Sequence, residues 1–412
     1  MRRMGLARAA RKTLTYIEAD RESKETLDAY TAGVNAYIET LSAADFPVEY
    51  KMLDYTPEPW TNLKTVLLQK YMSLNLTGYH SDWEYTQLLQ RLGHIMFDQL
   101  YPDFPAPIDP VVPSTDIVYP NLEVDTPEAI VSADILPRLQ HVRPDPANGS
   151  NNWALSGNKT VTGKPMLAND THLNLTLPAL FYEIQLVTPS FNAYGASLPG
   201  TPGIILGFNE NIAWGLTNSG RDFIDWYSIR FKEGGQEFYY FEDTVQPVVK
   251  VVESFHVRGE DDFFDTVMHT HFGPVVFDDS FKPDTVAGTL AMKWVGALPS
   301  NPVKVFNRLL KAVNYQDFEA AVKDFEDPPQ NFVFAARNGD IAIRHQGRFV
   351  LKWPEQGKFI MDGDRPENNW QGFVPDAFLP NVLNPERNFV SSANQHSVDA
   401  SYPYYVFDPS FE

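Results

Sequence analysis

The sequence predicts an α+β protein in which a helical first part precedes a strand-rich second part. In the first hundred residues, apolar side chains recur every three or four positions, which is typical of helices that pack one face on a core. After residue 150, short apolar runs alternate with glycine and proline, as in sheet proteins. Helices and strands are segregated, and only residues 303–325 interrupt the second part with a helical pattern, so an alternating parallel fold is disfavoured.

Composition narrows the classes of function. The 412 residues include 53 acidic and 33 basic side chains, and the net charge of −20 disfavours binding to nucleic acids or anionic membranes. The absence of cysteine excludes disulfides and thiolate metal sites. No apolar run reaches the length of a membrane span, and the basic N-terminus lacks the apolar stretch of a secretory signal. We therefore expect no nucleic-acid partner and no membrane span.

The first part of the chain contains three predicted helices. An apolar stripe through residues 27–41 predicts the first. A proline-rich break then leaves Thr61 or Asn62 to cap a second helix, because a side-chain oxygen at that position accepts a free N–H of the first turn. A third pattern covers residues 83–92 and stops at Gly93, since glycine commonly ends helices.

The amino-acid composition changes at about residue 101, where prolines become frequent, and we predict three segments. Residues 1–100 form a helical portion, and residues 101–149 form a proline-rich connector, the kind of segment in which proteolytic cleavage is tolerated. Residues 150–412 form a β-rich domain. Within it, residues 160–167 are predicted as a hairpin and residues 331–349 as strands.

The most informative motif is a serine at the mouth of a strand-like run, Asn148-Gly149-Ser150-Asn151-Asn152-Trp153-Ala154-Leu155. If the peptide bond before Ser150 is cut, the new α-amine titrates near pH 8, so it can take the proton of the adjacent hydroxyl. The alternative is an ordinary Asn-Gly turn that leads into a strand. The octapeptide alone does not decide between them.

Four further segments follow this motif in order. They are residues 168–173 (Ala-Asn-Asp-Thr-His-Leu), 199–203 running into 207–218, 222–227, and 391–395 (Ser-Ser-Ala-Asn-Gln). In this order and spacing they resemble the penicillin acylase family of N-terminal nucleophile hydrolases, and residues 33–37 and 55–60 are similar to that family's α-chain. The resemblance implies an αββα sandwich with a helical α-chain lobe, and an enzyme that hydrolyses linear amide bonds.

The resemblance also implies roles for particular residues. Precursors of the family cut themselves before the serine, so the scissile bond would join Gly149 to Ser150, and a spacer peptide would come from the connector. Ser150 would then be the nucleophile of a protein made of its own α- and β-chains. The Asn394 side chain and the backbone N–H of Asn218 would stabilise the oxyanion, and His172 would orient Ser150. By itself Asn394 also fits an ordinary turn.

One structural calcium ion is implied in the same way. The ligands matched by position are the side chains of Glu84, Asp222 and Asp225 and the backbone carbonyls of Ile224 and Pro354, with Asp408 as a further candidate. Hard oxygen ligands from distant segments suit calcium. The alternative is a set of solvated loop carboxylates.

The acyl pocket implied by the resemblance is lined by Leu74, Gly78, Leu173, Leu180 and Leu206. Phenylacetyl-cleaving relatives carry rings or methionine at such positions, and flat rings stack on an aryl group. We therefore predict a small-molecule N-acyl amide with an aliphatic acyl chain, such as an N-acyl-homoserine lactone. The alternative within the family is a penicillin or cephalosporin acylase.

Two other classes of protein remain open. One is an unprocessed, inactive binding protein stabilised by calcium, and the other is an extracellular carbohydrate-binding module. Family members usually begin earlier and run past residue 412, so this chain is expected to lack both ends. The resemblance suggests a periplasmic or secreted protein. Among the remaining residues, Trp153, Trp214 and Trp226 are expected in the core and His345 at the surface.

Overall fold

A computed structural model describes residues 2–78, 81–104, 109–113, 119–127, 149–219, 222–281 and 288–406. The α-helices within these ranges are α1 (Leu6–Glu18), α2 (Arg21–Thr40), α3 (Val48–Leu53), α4 (Asn62–Thr77), α5 (Asp82–Leu92), α6 (His94–Leu100), α7 (Pro302–Leu309) and α8 (Tyr315–Val322). None of these helices is both long and apolar enough to cross a lipid bilayer.

The predicted ends of the early helices are confirmed. Thr61 is the N-cap of α4, and its hydroxyl accepts a hydrogen bond from the backbone N–H of Lys64 at 3.3 Å. Gly93 ends α5 with φ at +72°, a conformation that glycine adopts without steric cost. Helix α2 buries Leu27 completely against α1 and α4. Tyr37, at a later position of the predicted stripe, is 66% exposed, so the stripe packs on the core at Leu27 but not along its whole length.

The strands lie almost entirely after residue 148. They are β1 (Gly149–Leu155), β2 (Met166–His172), β3 (Tyr182–Val187), β4 (Asn192–Ser197), β5 (Leu206–Asn209), β6 (Ile212–Asn218), β7 (Ile224–Ser228), β8 (Phe238–Phe241), β9 (Thr244–Pro247), β10 (Val249–Phe255), β11 (Phe263–His269), β12 (Val275–Phe277), β13 (Leu290–Trp294), β14 (Gln330–Ala336), β15 (Ile341–Gln346), β16 (Met361–Asp362), β17 (Asn381–Leu383) and β18 (Phe389–Ser392).

The strands form a large sheet, two smaller sheets and two hairpin ribbons. Seven strands pair in the order β17-β15-β14-β6-β5-β4-β3, three in the order β18-β1-β2, and four in the order β12-β13-β7-β16. The ribbons are β10-β11 and β8-β9. Residues 160–165, expected in a hairpin, instead form most of the turn that joins β1 to β2. Helices α7 and α8 and strands β14 and β15 lie where helix and strands were predicted.

The core is layered. One face of the seven-stranded sheet packs on α7 and α8 through Phe306, Phe318 and Phe332. Its other face meets the three-stranded sheet through Ala154 and Val333. Because helices and mostly antiparallel sheets occupy separate parts of the chain, the predicted α+β class is confirmed.

Part of the predicted connector is built into this core. The backbone N–H groups of Val111 and Val112 donate to the carbonyls of His396 and Ser397, at 2.8 and 3.0 Å. Both valine side chains are buried between the two sheets, as part of the cluster that contains Ala154. This piece of the connector is therefore held by the domain that follows it.

Candidate active site

Ser150 lies at the N-terminal end of β1, the central strand of the three-stranded sheet. Its side chain is buried, with 7% of the residue exposed. Its hydroxyl donates to the carbonyl oxygen of Gly149 at 2.5 Å, and its backbone N–H donates to Oδ1 of Asn394 at 2.5 Å. The residue that precedes the scissile bond proposed from the sequence is thus held next to the hydroxyl.

Asn394 follows β18, and its side chain links β1 of the three-stranded sheet to β6 of the seven-stranded sheet. Its backbone is left-handed, with φ at +64°, a region in which asparagine is enriched. While Oδ1 accepts from Ser150, Nδ2 donates to the carbonyl oxygen of Asn218 at 2.9 Å. A Cβ added to Gly149 would lie 3.2 Å from Oδ1 of Asn394, so the close approach favours glycine there.

Asn218 ends β6 and connects the sheet to the helical part of the protein. Its side-chain Nδ2 donates to the carbonyl of Leu76 in α4 at 2.7 Å, and its Oδ1 accepts from Nε2 of Gln330 at 3.2 Å. The structure therefore brings Ser150 of β1, Asn218 of β6 and Asn394 after β18 together from segments that are distant in sequence. Their predicted roles in catalysis remain predictions.

A further layer of polar groups lies behind Asn218 and was missed from the sequence. Asn331 Nδ2 donates to the carbonyl of Asn218 at 3.2 Å and to Oγ of Ser392 at 3.3 Å. Its Oδ1 lies 2.6 Å from Nδ1 of His345. We call Asn218, Asn331, His345, Ser392 and Asn394 the amide cluster.

The expectation that His345 lies at the surface is wrong. The residue is completely buried, as is every residue of β15, because this strand has neighbours on both sides and packed layers on both faces. Asn331 lies directly opposite His345 in the β14–β15 register and supplies its polar partner. An asparagine and a histidine at matched positions in two predicted neighbouring strands were the available signal. Trp214 and Trp226 are buried, as expected. Trp153 is only partly buried, because successive side chains of a strand point to opposite faces and it alternates with the buried Asn152 and Ala154.

His172 ends β2, directly opposite Gly149 in the strand register. Its imidazole Nε2 lies 2.9 Å from Oδ2 of Asp170, and 41% of the side chain is exposed. The backbone of His172 is thus next to the bond that precedes Ser150, whereas its ring contacts a carboxylate on the same strand. The arrangement leaves its role as an orienting residue a prediction.

A cavity of about 120 Å³ opens beside Ser150 and Asn218. Leu173 and Leu206, both predicted pocket residues, line it. Leu74 instead packs in the core beside Trp83, because it faces away from the cavity on α4, and Gly78 and Leu180 are not among the described lining residues. Other apolar lining residues, which the sequence did not indicate, are Met72, Leu76, Phe181, Leu198, Ile205, Leu216, Val303, Phe306 and Phe325.

The cavity wall contains one buried ion pair. Lys70 is 1% exposed, and its Nζ donates to Oδ2 of Asp327 at 3.0 Å, to the carbonyl of Leu298 at 3.0 Å and to Oγ of Ser300 at 3.3 Å. Ser73 donates to the other carboxylate oxygen of Asp327 at 2.5 Å. All three ammonium hydrogens are used, so the wall suits an uncharged acyl group better than an anionic one.

The residues matched to calcium ligands are dispersed over α5, β7 and the loop after β15. Among them, Asp222 and Asp225 are buried, and the Nζ of Lys352 lies 2.7 and 2.8 Å from their carboxylates. Burial raises the pKa of Asp222 to about 7, although the ammonium opposes this shift. Burial opposes the charged form of Lys352, but the two carboxylates outweigh it and raise its pKa above the usual value.

The described residues in this arrangement do not fit a calcium ion at the predicted place. An ammonium already lies between the two carboxylates that would bind it, and a second cation there would be repelled. Across the described ranges, no group of three or more His, Asp or Glu side chains has the geometry to hold a metal. Asp408 lies outside the described residues.

The chain belongs to the penicillin amidase family, whose model matches residues 1–411. A solved structure with the same fold is the thermostable penicillin G acylase from Alcaligenes faecalis in its orthorhombic form. The match has a TM-score of 0.55 and 21% identity, and it covers 64% of this chain and 46% of that one. The predicted N-terminal nucleophile fold class is thereby confirmed.

Sequence relatives include two kinds of acylase. The chain is 24% identical over 412 residues to the acyl-homoserine lactone acylase QuiP of Pseudomonas aeruginosa, covering 98% of this chain and 48% of that protein. It is 26% identical over 413 residues to the penicillin acylase 2 proenzyme of Pseudomonas sp. strain SE83, covering 98% and 52%. The chain thus spans about half the length of these relatives.

Proposed function

We propose that this chain is the catalytic part of an amidohydrolase that cleaves an N-acyl amide with Ser150 as its nucleophile. The observation that carries the proposal is the position of Ser150. This buried hydroxyl lies beside an apolar cavity, on a residue whose backbone nitrogen is held by Asn394. Family membership and the names of the relatives support the same reaction class.

The nucleophile is produced by scission of the Gly149–Ser150 bond. Ser150 Oγ attacks the carbonyl carbon of Gly149, the C–N bond breaks as the C–O bond forms, and the hydroxyl proton passes to the leaving nitrogen. Water then hydrolyses the ester, which leaves a carboxylate on Gly149 and a free α-amine on Ser150. The 2.5 Å contact between the hydroxyl and the Gly149 carbonyl oxygen supports this step.

Hydrolysis of the substrate uses the same hydroxyl. The α-amine accepts its proton while Oγ attacks the amide carbonyl, and the departing amine then takes that proton. One N–H of the Asn394 side chain and the backbone N–H of Asn218 stabilise the oxyanion, and each such donor contributes about 3 kcal/mol in the transition state. His172 orients the α-amine from the neighbouring strand. Water finally releases the acyl group from Ser150.

The acyl group is apolar, and we place an aliphatic chain ahead of an aryl group. Most of the apolar side chains of the cavity are aliphatic. The charge of its buried lysine is balanced by Asp327, and the lysine's other hydrogens are donated to a carbonyl and a hydroxyl. A flexible aliphatic wall accommodates a chain of methylenes. An N-acyl-homoserine lactone, the substrate in the name of one relative, is a substrate of this kind.

A penicillin-type acylase is the second candidate. Three rings, those of Phe181, Phe306 and Phe325, line the same cavity and offer stacking surfaces to an aryl acyl group. Relative kcat/KM for decanoyl-anilide and phenylacetyl-anilide separates the two candidates. We expect decanoyl to be preferred, whereas a clear preference for phenylacetyl would assign the second.

Processing is tested on a denaturing gel with N-terminal sequencing. We expect two chains, the larger of which begins at Ser150, and an export route that places the mature protein in the periplasm or outside the cell. A persistent single chain without anilide hydrolysis would favour the inactive binding protein. Sugar binding that survives Ser150→Ala would favour the carbohydrate-binding module.

A further inference from the structure

The pair of carboxylates at the start of β7 has a cation of its own. Asp222 and Asp225 are 3% and 0% exposed at their side chains, and the Lys352 side chain between them is 6% exposed. Lys352 lies 130 positions after Asp222 and 127 positions after Asp225 in the sequence. Together with Trp370 we call them the lysine cluster.

Every carboxylate oxygen in the lysine cluster has a donor from the protein. Lys352 Nζ donates to Oδ2 of Asp222 and to Oδ1 of Asp225. The remaining oxygens accept from the backbone N–H of Ile224, at 3.4 Å, and from the indole N–H of Trp370. An ion that coordinated these oxygens would have to displace donors that are already in place.

The loop that carries Lys352 is anchored on both sides of the lysine. The N–H of Leu351 donates to the carbonyl of Gly372 at 3.0 Å, and the N–H of Trp353 donates to the side chain of Gln356 at 3.1 Å. The backbone of Gly357, with φ at +83°, lies close to the ion pair, and a Cβ at this position would lie only 2.1 Å from Asp225 Oδ1. The backbone on both sides of Lys352 is therefore fixed by hydrogen bonds, and this fixes the position from which the lysine side chain extends into the cluster.

We propose that the ammonium of Lys352 is the structural cation at this position, so that the protein needs no calcium here. It joins the start of β7 to the loop after β15, which a divalent ion between the same carboxylates would otherwise do. This inference is independent of the proposed catalytic role of Ser150. Its test therefore uses stability and metal content, which remain measurable if the protein proves inactive.

The first experiment uses the wild-type protein. Its calcium content is measured by mass spectrometry after purification, and its Tm is measured in 1 mM EGTA and after addition of excess calcium. We expect far less than one equivalent of calcium and the same Tm, within about 1 °C, in both conditions. One equivalent of calcium, together with a Tm that falls in EGTA and recovers with calcium, overturns the proposal.

The second experiment removes the charge. Lys352→Met leaves two buried carboxylates without a counter-ion, so we expect a Tm lowered by at least about 5 °C. Lys352→Ala removes the stem as well and leaves room for an ion, so its Tm should rise with millimolar calcium. A Lys352→Met protein with the wild-type Tm overturns the proposal. If neither variant folds, the wild-type measurements still decide.

Lys358→Met is the matched control. Lys358 is 2% exposed at its side chain and lies 2.7 Å from Asp103, outside the lysine cluster. Its loss should also lower Tm, because an ion pair is broken, but calcium should not restore it. Equal calcium responses in Lys352→Ala and Lys358→Met would show a general effect of the ion and overturn the assignment.

Discussion

Two buried polar clusters in the same domain are built from different chemistry. The amide cluster behind Ser150 uses amides, a hydroxyl and one imidazole, whereas the lysine cluster uses an ammonium and two carboxylates. The hydrogen bonds of the amide cluster are directional, so they set the positions of atoms. A buried ion pair tolerates more variation in angle but is costly to break. We infer that the first cluster positions reacting groups and the second holds segments together.

The largest effect is expected at Ser150, which the amide cluster contacts through Asn394. Ser150→Ala should abolish the break at Gly149–Ser150 and lower kcat/KM at least about 10⁴-fold, because the nucleophile is gone. Tm should stay close to that of the wild type. The measurements are a denaturing gel, an anilide assay and calorimetry.

Ser156→Ala is the control for this substitution. Ser156 follows the same strand and donates to the side chain of Asn388, away from the cavity. It should leave processing and turnover unchanged. Turnover that survives Ser150→Ala would contradict the assignment of Ser150 as the nucleophile. The amide cluster could then no longer be distinguished from the lysine cluster by a role in catalysis.

The next effect is expected at Asn394. Asn394→Gly removes the carboxamide while keeping a residue that adopts φ near +64°, so backbone strain is not introduced. We expect kcat to fall about 10²- to 10³-fold with little change in KM, because an oxyanion donor acts mainly in the transition state. Rates are normalised to the processed fraction. Asn388→Gly, at φ +61°, is the control, and an equal loss there would contradict the assignment.

A smaller effect on rate is expected one layer further away. Asn331→Ala leaves His345 and Ser392 without this partner, so we expect about 2 kcal/mol of lost stability. Because the Asn218 carbonyl also loses a donor, kcat should fall between about 10- and 100-fold while KM changes less. Urea unfolding and steady-state kinetics measure both.

Asn338→Ala is the matched control for this substitution, since that side chain contacts Asp340 in an exposed turn after the same strand. It should alter neither quantity. Loss of stability in Asn331→Ala without any change in kcat would assign the amide cluster to folding alone and erase the difference between the clusters.

Two glycine substitutions test how strongly the lysine cluster contributes to stability. Gly357→Ala combines a left-handed backbone with a Cβ 2.1 Å from Asp225 and 2.5 Å from Lys352 Nζ. Gly234→Ala has a similar φ, +93°, and no heavy atom within 4 Å of the added carbon. We expect Gly357→Ala to cost about 2 kcal/mol more stability than Gly234→Ala, with unchanged kcat. If urea unfolding shows a similar loss of stability in both variants, the ion pair can shift to accommodate the added carbon at little cost in free energy.

The last effect lies outside both clusters and concerns stability in acid rather than the rate of reaction. Burial, together with nearby Arg8 and Lys12, lowers the pKa of His269 to about 4. The folded protein therefore favours the neutral ring, whereas the unfolded chain takes up a proton on His269 near pH 6.5. The free energy of unfolding should therefore be highest above pH 6.5 and should decrease as the pH falls from 6.5 towards 4. A shift of this size corresponds to at most about 3 kcal/mol, and solvent screening of the partly exposed ring makes the loss smaller. His269→Gln should flatten Tm over this range, and an unchanged slope would contradict the assignment.

Features that depend on neighbours in sequence were predictable. The cap at Thr61, the end of α5 at Gly93 and the strand Gly149–Leu155 all follow from local preferences and periodicity. The resemblance also brought Ser150, Asn218 and Asn394 into one hypothesis, and the structure places them in contact. The cavity was predicted less well, because α7 contributes Val303 and Phe306 from a segment that local pattern does not connect to it.

By itself, the sequence determined the class of fold and led to Ser150 as the residue on which the proposed chemistry depends. Periodicity, capping and the order of short motifs are properties of neighbouring residues, so they can be read along the chain. Only the tertiary structure decided that His345 is buried against Asn331 and that Lys352 lies between Asp222 and Asp225. The physical reason is that a buried polar group is stabilised by whichever partner the folded chain brings within hydrogen-bonding distance, and in the lysine cluster that partner comes from more than a hundred residues away.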